Sequence, residues 1–219
     1  MTVLDTPSPR LAHALDATII ANDERHPVRR GMFGFERGMD GWFAFIGHIA
    51  KALRGIATYS IIDLGCNVGA KAPFIAGWGC LKYLGLDYRA EHIAVARQRW
   101  SSGVCKFAVR NIVTEPLPDI WPEEDRANRV VYISYVLQHL PLCDKLAVLT
   151  KVHALKPDLF IIVDHDIHDK PFAVCEAEYE DKLAISMGIP LPLCELRRVM
   201  DGYTIDSPEP DLWLLRREP

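Results

Sequence analysis

The sequence lacks several features that would place it in a special class of protein. No apolar run approaches the roughly 18 consecutive residues that a membrane-spanning helix requires. The formal net charge of -4 leaves no basic excess of the kind that bulk nucleic-acid binding needs. The chain does not open with a basic segment followed by an apolar run, and it has no internal repeat. These absences predict a cytoplasmic protein with no membrane or nucleic-acid partner.

Cysteine is present, but not in a pattern that binds zinc or performs redox chemistry. The six cysteines are unevenly spaced and include no Cys-x-x-Cys pair. Cysteines at apolar positions are typical of small buried residues in a reducing cytoplasm. With 219 residues, of which 49% are hydrophobic and 25% charged, the chain fits one soluble globular domain with added segments.

The stretch 58–69 is the part around which the rest of the chain is organised. Its first half contains two adjacent isoleucines, whose β-branched side chains favour a short buried strand. Gly65 and Gly69 then give the backbone freedom for a tight turn and allow a ligand to approach the main chain. In an open α/β sheet, ligands bind at the carboxyl ends of strands. The acidic Asp63 before the glycines favours a ligand with positive charge or hydroxyl groups over a phosphate.

A second acidic residue ends the next predicted strand, at 81–87. Asp87 follows Asp63 by 24 positions, and a carboxylate at about this distance from a glycine turn accepts hydrogen bonds from ribose hydroxyls. Two acidic strand ends at this spacing indicate a nucleoside more specifically than either does alone. The alternative is that Asp87 caps the helix predicted over 89–101.

Three segments together resemble one enzyme family. Residues 63–69 resemble motif I of the class I S-adenosylmethionine-dependent methyltransferases, Asp/Glu-x-Gly-x-Gly-x-Gly, with Asn67 in place of the middle glycine. Asn tolerates left-handed backbone angles, so the turn is expected to survive the change. The strand predicted at 130–133 and the run 134–140 resemble motif IV of small-molecule methyltransferases. The turn 155–158 is similar to the family's Leu-Lys-Pro-Gly signature, with Asp in place of the Gly.

The resemblance implies an α/β fold: a Rossmann-like, mostly parallel seven-stranded sheet with helices on both faces and an antiparallel last strand. It runs over residues 39–219 as a methyltransferase domain, with an insert at 164–190 that is expected to cover the substrate. Residues 1–38 lie outside it, as an N-terminal helix and a lid segment. The arginine- and aromatic-rich loop within 22–38 either closes over the cofactor or packs on the domain as a surface loop.

The cofactor implied by the resemblance is S-adenosylmethionine, and ten residues are expected to bind it: Asp63, Gly65, Cys66, Asn67, Gly69, Asp87, Tyr88, Asn111, Ile112 and Ser134. Asp63, Gly65, Asn67 and Gly69 would surround the methionine half, with Asp63 organising the site around the ammonium group. Asp87 would bind the ribose. The adenine would lie between Tyr88 and Ile112, with an acceptor oxygen from Asn111 for its amino group. The alternatives are an ordinary strand-turn-helix junction and a packing role for Tyr88.

Two histidines are candidates for catalysis. The His139 ring takes up or releases a proton near neutral pH, and the alternative is a histidine hydrogen-bonded to backbone at a helix entrance. His165 lies in the run 164–169, Asp-His-Asp-Ile-His-Asp. His165 or Asp166 could act as a base, the run could bind a divalent metal, or its acids could attract a cationic amine; a polar loop is the alternative. We assign no metal ligand, and leave open whether the run's other members bind one: Asp164, His168 and Asp169.

The predicted function is methyl transfer from S-adenosylmethionine to a hydroxyl or amine of a small molecule. The Asn-Pro-Pro-Tyr motif of enzymes that methylate the amino groups of bases and glutamine is absent. A nicotinamide dehydrogenase is disfavoured because Asp63 precedes the glycine turn and the third-glycine spacing is missing. A non-catalytic module that binds the cofactor or supports a partner would keep Asp63 and Asp87 as well, so it stays open. The sequence also leaves open a homodimer.

Overall fold

The computed structural model describes residues 47–121, 127–164, 167–168, 191–209 and 211–219 of the chain. Nine strands are described: β1 (Tyr59–Leu64), β2 (Cys80–Asp87), β3 (Cys105–Val109), β4 (Asn128–Ser134), β5 (Leu159–Val163), β6 (Ile167–His168), β7 (Leu191–Pro192), β8 (Tyr203–Glu209) and β9 (Leu212–Arg217). The described helices are α1 (Ala72–Ala76), α2 (Ala90–Trp100), α3 (Leu142–Leu155) and α4 (Leu193–Val199). Residues 47–52 are also helical, and Leu137–His139 form a single 3-10 turn.

Seven of these strands form one sheet in the order β3-β2-β1-β4-β5-β9-β8. Strands β1 to β5 pair in parallel, whereas β9 runs antiparallel to both of its neighbours, β5 and β8. The antiparallel last strand and the mostly parallel seven-stranded sheet confirm the predicted fold. Because the chain leaves β1 on one side for β2 and later returns to its other side with β4, the carboxyl ends of β1 and β4 form the switch point of the sheet.

Helices cover both faces of the sheet, as predicted. Alternate residues of β1 point into two separate cores: Ile61 packs with α1, α2 and the helical residues 47–52, and Ile62 packs with α3 and α4. All five residues of β5 are buried, which matches the apolar composition that a doubly covered strand requires. The switch point at the carboxyl ends of β1 and β4 therefore belongs to a sheet that is packed on both faces.

The sequence also predicts helices over 70–78 and 195–200, and the ends of both differ slightly in the structure. The helix predicted over 70–78 is shorter, because Pro73 fits only in the first turn and Gly77 follows its last residue. The helix predicted over 195–200 begins two residues earlier, directly after Pro192. Neither change moves the turn that follows β1.

The short parallel pair of β6 and β7 joins the two ends of the predicted insert. Ile167 pairs with Leu191, and both side chains are buried in the core on the α3 side of the sheet. The sequence predicts an acidic helix over about 172–187 within this insert, and that stretch and the N-terminal segment 1–38 lie outside the described residues. Among the helices that are described, none is long and apolar enough to cross a membrane.

Candidate functional site

The turn after β1 has left-handed backbone angles at three alternate residues. The φ angles are +73° at Gly65, +53° at Asn67 and +70° at Gly69. Asn67 therefore adopts the conformation of the glycine that it replaces, as the sequence predicted. Its side chain stabilises the turn, because Oδ1 accepts a hydrogen bond of 2.7 Å from the Val68 amide.

Both glycines of the turn lie against neighbouring elements with no room for a side chain. A Cβ atom on Gly65 would overlap Val136, which follows β4, and one on Gly69 would lie 2.6 Å from Cε1 of Phe107 on β3. The turn is therefore pressed between the ends of β4 and β3. This close packing fixes the path of the turn's backbone at the switch point.

Asp87 connects this turn to the end of β2. Its Oδ2 accepts a hydrogen bond of 2.9 Å from the Asn67 amide, and its Oδ1 accepts one of 3.0 Å from the Arg89 amide. The side chain of His92 lies 3.6 Å from Oδ1. Each carboxylate oxygen can accept a further hydrogen bond, so this carboxylate also suits hydroxyl donors such as those of a ribose.

Asp63 lies beneath the turn and does not line it. Its carboxylate is fully buried, 3.2 Å from the Lys71 ammonium and 2.6 Å from the Tyr83 hydroxyl. Lys71 is equally buried and stands 4.5 Å from the centre of the Tyr132 ring. The expectation that Asp63 faces a ligand ammonium is therefore replaced by an internal ion pair that supports the turn from below.

Two further predicted site residues are also enclosed. Ser134, the last residue of β4, has no exposed surface. Cys66 is fully buried, and this burial raises the pKa of its thiol well above the usual value, so the thiol stays protonated. Neither side chain is available at the surface of the turn, and a ligand would meet the backbone of Cys66.

The residues predicted to bind adenine follow the carboxyl ends of β2 and β3. Tyr88 is half exposed, and its hydroxyl accepts a hydrogen bond of 3.1 Å from Nε of Arg89. Ile112 is 8% exposed and packs into the core. The Asn111 oxygen accepts hydrogen bonds from the amides of Val113 (2.9 Å) and Thr114 (3.3 Å). That oxygen, expected at an adenine amino group, therefore caps the chain's own next turn.

His139, the catalytic candidate that lies within the described residues, is in the segment after β4. Tyr135 has a φ of +51°, which is strained for a large side chain and is typical of functional sites. The Gln138 amide donates to Oδ2 of the buried Asp164 at 3.1 Å. The Gln138 side-chain nitrogen lies 3.1 Å from Nε2 of the partly buried His139. The sequence predicted His139 but gave no signal for Tyr135 or Gln138, whose roles depend on backbone conformation.

The second catalytic candidate, His165, lies outside the described residues, as do Asp166, Asp169 and the side chain of His168. Asp164 is described, and its amide donates to the Asp211 carbonyl at 2.8 Å. Within the part of the chain that is described, no group of three or more His, Cys, Asp or Glu side chains is arranged to hold a metal ion.

Comparisons with known proteins match part of the chain to a methyltransferase domain and most of it to solved structures of the same fold. The family model for a methyltransferase domain matches residues 61–158. The solved structure of the N-methyltransferase NodS from Bradyrhizobium japonicum WM9, in complex with S-adenosyl-L-homocysteine, is 16% identical over 95% of this chain and 98% of that chain, with a TM-score of 0.58. A DhpI-SAM-HEP complex is 15% identical over 98% and 100%, with a TM-score of 0.61. The small RNA methyltransferase HEN1 is 14% identical over 81% and 25%, with a TM-score of 0.55.

No curated protein matches the sequence significantly. The solved structures share the fold of the chain, and the family model covers the elements from β1 to the turn before β5. A doubly wound sheet with a glycine turn at its switch point and an acidic residue at the end of β2 is an arrangement in which such folds bind nucleoside cofactors. The methyltransferase-domain model covers residues 61–158 of this chain, and the solved structures show that the chain has the fold of S-adenosylmethionine-dependent methyltransferases.

Proposed function

We propose that this enzyme transfers the methyl group of S-adenosylmethionine to a hydroxyl or amine of a small molecule. The observation that carries the proposal is the hydrogen bond from the Asn67 amide to Asp87, which brings the glycine turn and the acidic end of β2 together at the switch point. When bound, the cofactor supplies an electrophilic methyl group on its sulfonium. The protein's main task is then alignment, which contributes roughly 7 to 11 kcal/mol to barrier reduction in well-oriented reactions.

The residues of the turn suit the methionine half of the cofactor through their backbone. Gly65 and Gly69 place no side chain on the turn, and Asn67 preserves the same left-handed path. We assign the ribose to Asp87, whose oxygens retain acceptor capacity. Asp63 supports this turn from below through Lys71.

The adenine is assigned to the carboxyl ends of β2 and β3. Tyr88 offers a half-exposed ring to one face of the base, and the other face is assigned to Ile112, which is 8% exposed. Asn111 contributes indirectly, because its oxygen caps the turn that carries Ile112. Ser134 supports the end of β4 from within the core.

His139 is our candidate for contact with the methyl acceptor. A hydroxyl acceptor requires a base, and an imidazole in the segment that follows β4 has the chemistry to act as one. The 3.1 Å contact between Nε2 of the His139 ring and the side-chain nitrogen of Gln138 holds the ring in one orientation. An amine acceptor instead needs to be kept neutral in a dry pocket, and for that chemistry His139 would position the acceptor without taking its proton. His165 remains the second candidate from the sequence.

A small acceptor is favoured by the position of the insert and by charge. The insert begins after β5 at Asp164, whose Oδ2 accepts a hydrogen bond from the backbone amide of Gln138, the neighbour of His139. The inserted residues therefore begin close to the residue that we assign to the acceptor. The net charge of -4 gives a polyanionic nucleic acid no general attraction. The alternative, a module that binds cofactor without turnover or supports a partner, would bind S-adenosylmethionine and release no methyl group.

The test is to incubate the purified enzyme with tritium-labelled S-adenosylmethionine and three acceptor pools: a metabolite extract below about 1 kDa, total RNA and total protein. The proposal predicts label in the metabolite pool, reduced strongly in His139→Asn and retained in Lys106→Met, an exposed substitution on β3. Label in RNA or protein alone would contradict the small-molecule acceptor. Binding of cofactor with no label in any pool would favour the non-catalytic module.

A further inference from the structure

The segment that follows β3 is a single helical turn standing beside Asp87. The Arg110 amide donates to the Asp87 carbonyl at 2.8 Å, which fixes the start of the turn next to the end of β2. The turn closes through a hydrogen bond of 2.9 Å from the Glu115 amide to the Asn111 carbonyl. An isolated turn of helix is unstable in water, because nucleation orders several residues for one hydrogen bond. Other parts of the chain must therefore hold it.

The amino end of this turn, residues 111–115, is capped from within. The Asn111 oxygen accepts from two following amides, and the Asn111 amide donates to Oε1 of Glu115 at 2.8 Å. This reciprocal arrangement satisfies amides that a short helix leaves unpaired. It leaves the carbonyl groups at the other end of the turn in need of donors.

Lys151 of α3 supplies those donors. Its ammonium donates to the carbonyls of Ile112 at 3.1 Å and Glu115 at 2.8 Å, and it also makes a short contact with the Val113 carbonyl. An ammonium has three N–H donors, and here each has a carbonyl partner. Partial burial lowers the pKa of Lys151, because desolvation disfavours its charged form. A lysine on a surface helix would normally extend into water instead.

We propose that Lys151 is a positioning residue for the cofactor, which holds the 111–115 turn in the shape that receives the adenine ring. The inference rests on the proposed function, because it assigns the adenine to this turn. Without the ammonium, the carbonyls of Ile112, Val113 and Glu115 would hydrogen-bond to water instead, and the turn would be open for part of the time. The apparent dissociation constant of a ligand rises in inverse proportion to the fraction of protein in its binding shape, so a turn formed one tenth of the time weakens binding about tenfold.

The test compares Lys151→Met, Lys151→Arg and Lys106→Met with the wild type. Methionine keeps much of the apolar stem of lysine and removes the charge, arginine restores donors, and Lys106 is an exposed lysine on β3. Calorimetry with S-adenosylhomocysteine gives each dissociation constant at a temperature where all four proteins are folded. Hydrogen exchange in the absence of ligand reports the amides of 113–115.

We expect Lys151→Met to raise the dissociation constant on the order of tenfold and to speed exchange in 113–115 more than elsewhere. Lys151→Arg should recover most of both effects, and Lys106→Met should match the wild type. Faster exchange with an unchanged dissociation constant would overturn the inference and leave the proposed function intact. A wild type that fails to bind S-adenosylhomocysteine would overturn both.

Discussion

Replacing Lys71 by methionine would remove the cation from the buried ion pair beneath the cofactor turn. Both Lys71 and Asp63 are fully buried, with 3.2 Å between ammonium and carboxylate. Removing one partner of such a pair costs about 3 to 5 kcal/mol, because the remaining charge stays in the core uncompensated. The Tyr83 hydroxyl still donates to Asp63 at 2.6 Å and should keep the loss near the lower end of that range. The free energy of unfolding of a small domain is about 5 to 15 kcal/mol, so a loss of this size is a large share of it.

Urea unfolding followed by circular dichroism measures this change in the free energy of unfolding. The double variant Asp63→Asn, Lys71→Met removes both charges and should recover much of the loss, since an uncharged pair of similar volume is often neutral in such sites. Lys106→Met is the matched control and should change the free energy by less than about 0.5 kcal/mol, as surface substitutions do. A Lys71→Met variant within about 1 kcal/mol of the wild type would refute a dominant role for the ion pair.

Three further outcomes follow from the same geometry. Gly69→Ala should lower the free energy of unfolding by about 1 to 3 kcal/mol in urea titrations, because its Cβ would lie 2.6 Å from Phe107. Asn67→Gly should bind S-adenosylhomocysteine within a few-fold of wild type, whereas Asn67→Val should bind far more weakly, because a β-branched residue resists a φ of +53°. Burial raises the pKa of Cys80 from 9.0 to about 12. Its stabilising contribution is present below pH 9.0 and lost as the pH rises towards 12, so Cys80→Ala should flatten the fall in stability over that range.

The sequence predicted the elements whose signals are local. The order of strands and helices, the doubly covered β5 and the left-handed Asn67 all follow from apolar periodicity and from the few residues that tolerate positive φ. The acidic spacing between Asp63 and Asp87 correctly placed both residues at neighbouring strand ends.

The contacts that the sequence did not reveal are those made across the fold. Lys71 looked like an ordinary residue of a predicted helix, yet it is buried against Asp63 because the turn folds it inward. Lys151 lies 39 positions from Ile112, and a periodic pattern carries no information about which loop a helix will face. Tyr135 adopts a positive φ through its neighbours, since a tyrosine has no preference for that angle.

The most direct test of the account is calorimetric titration of the wild type, Asp87→Ala and Asp206→Ala with S-adenosylhomocysteine, with NADH as the control ligand. Asp206 is an exposed carboxylate on β8 and serves as the matched substitution. The account predicts binding to the wild type and Asp206→Ala, a loss on the order of tenfold to a hundredfold in Asp87→Ala, and no binding of NADH. Equal binding by a folded Asp87→Ala would contradict the assigned ribose site, and no binding by the wild type would contradict the cofactor site itself.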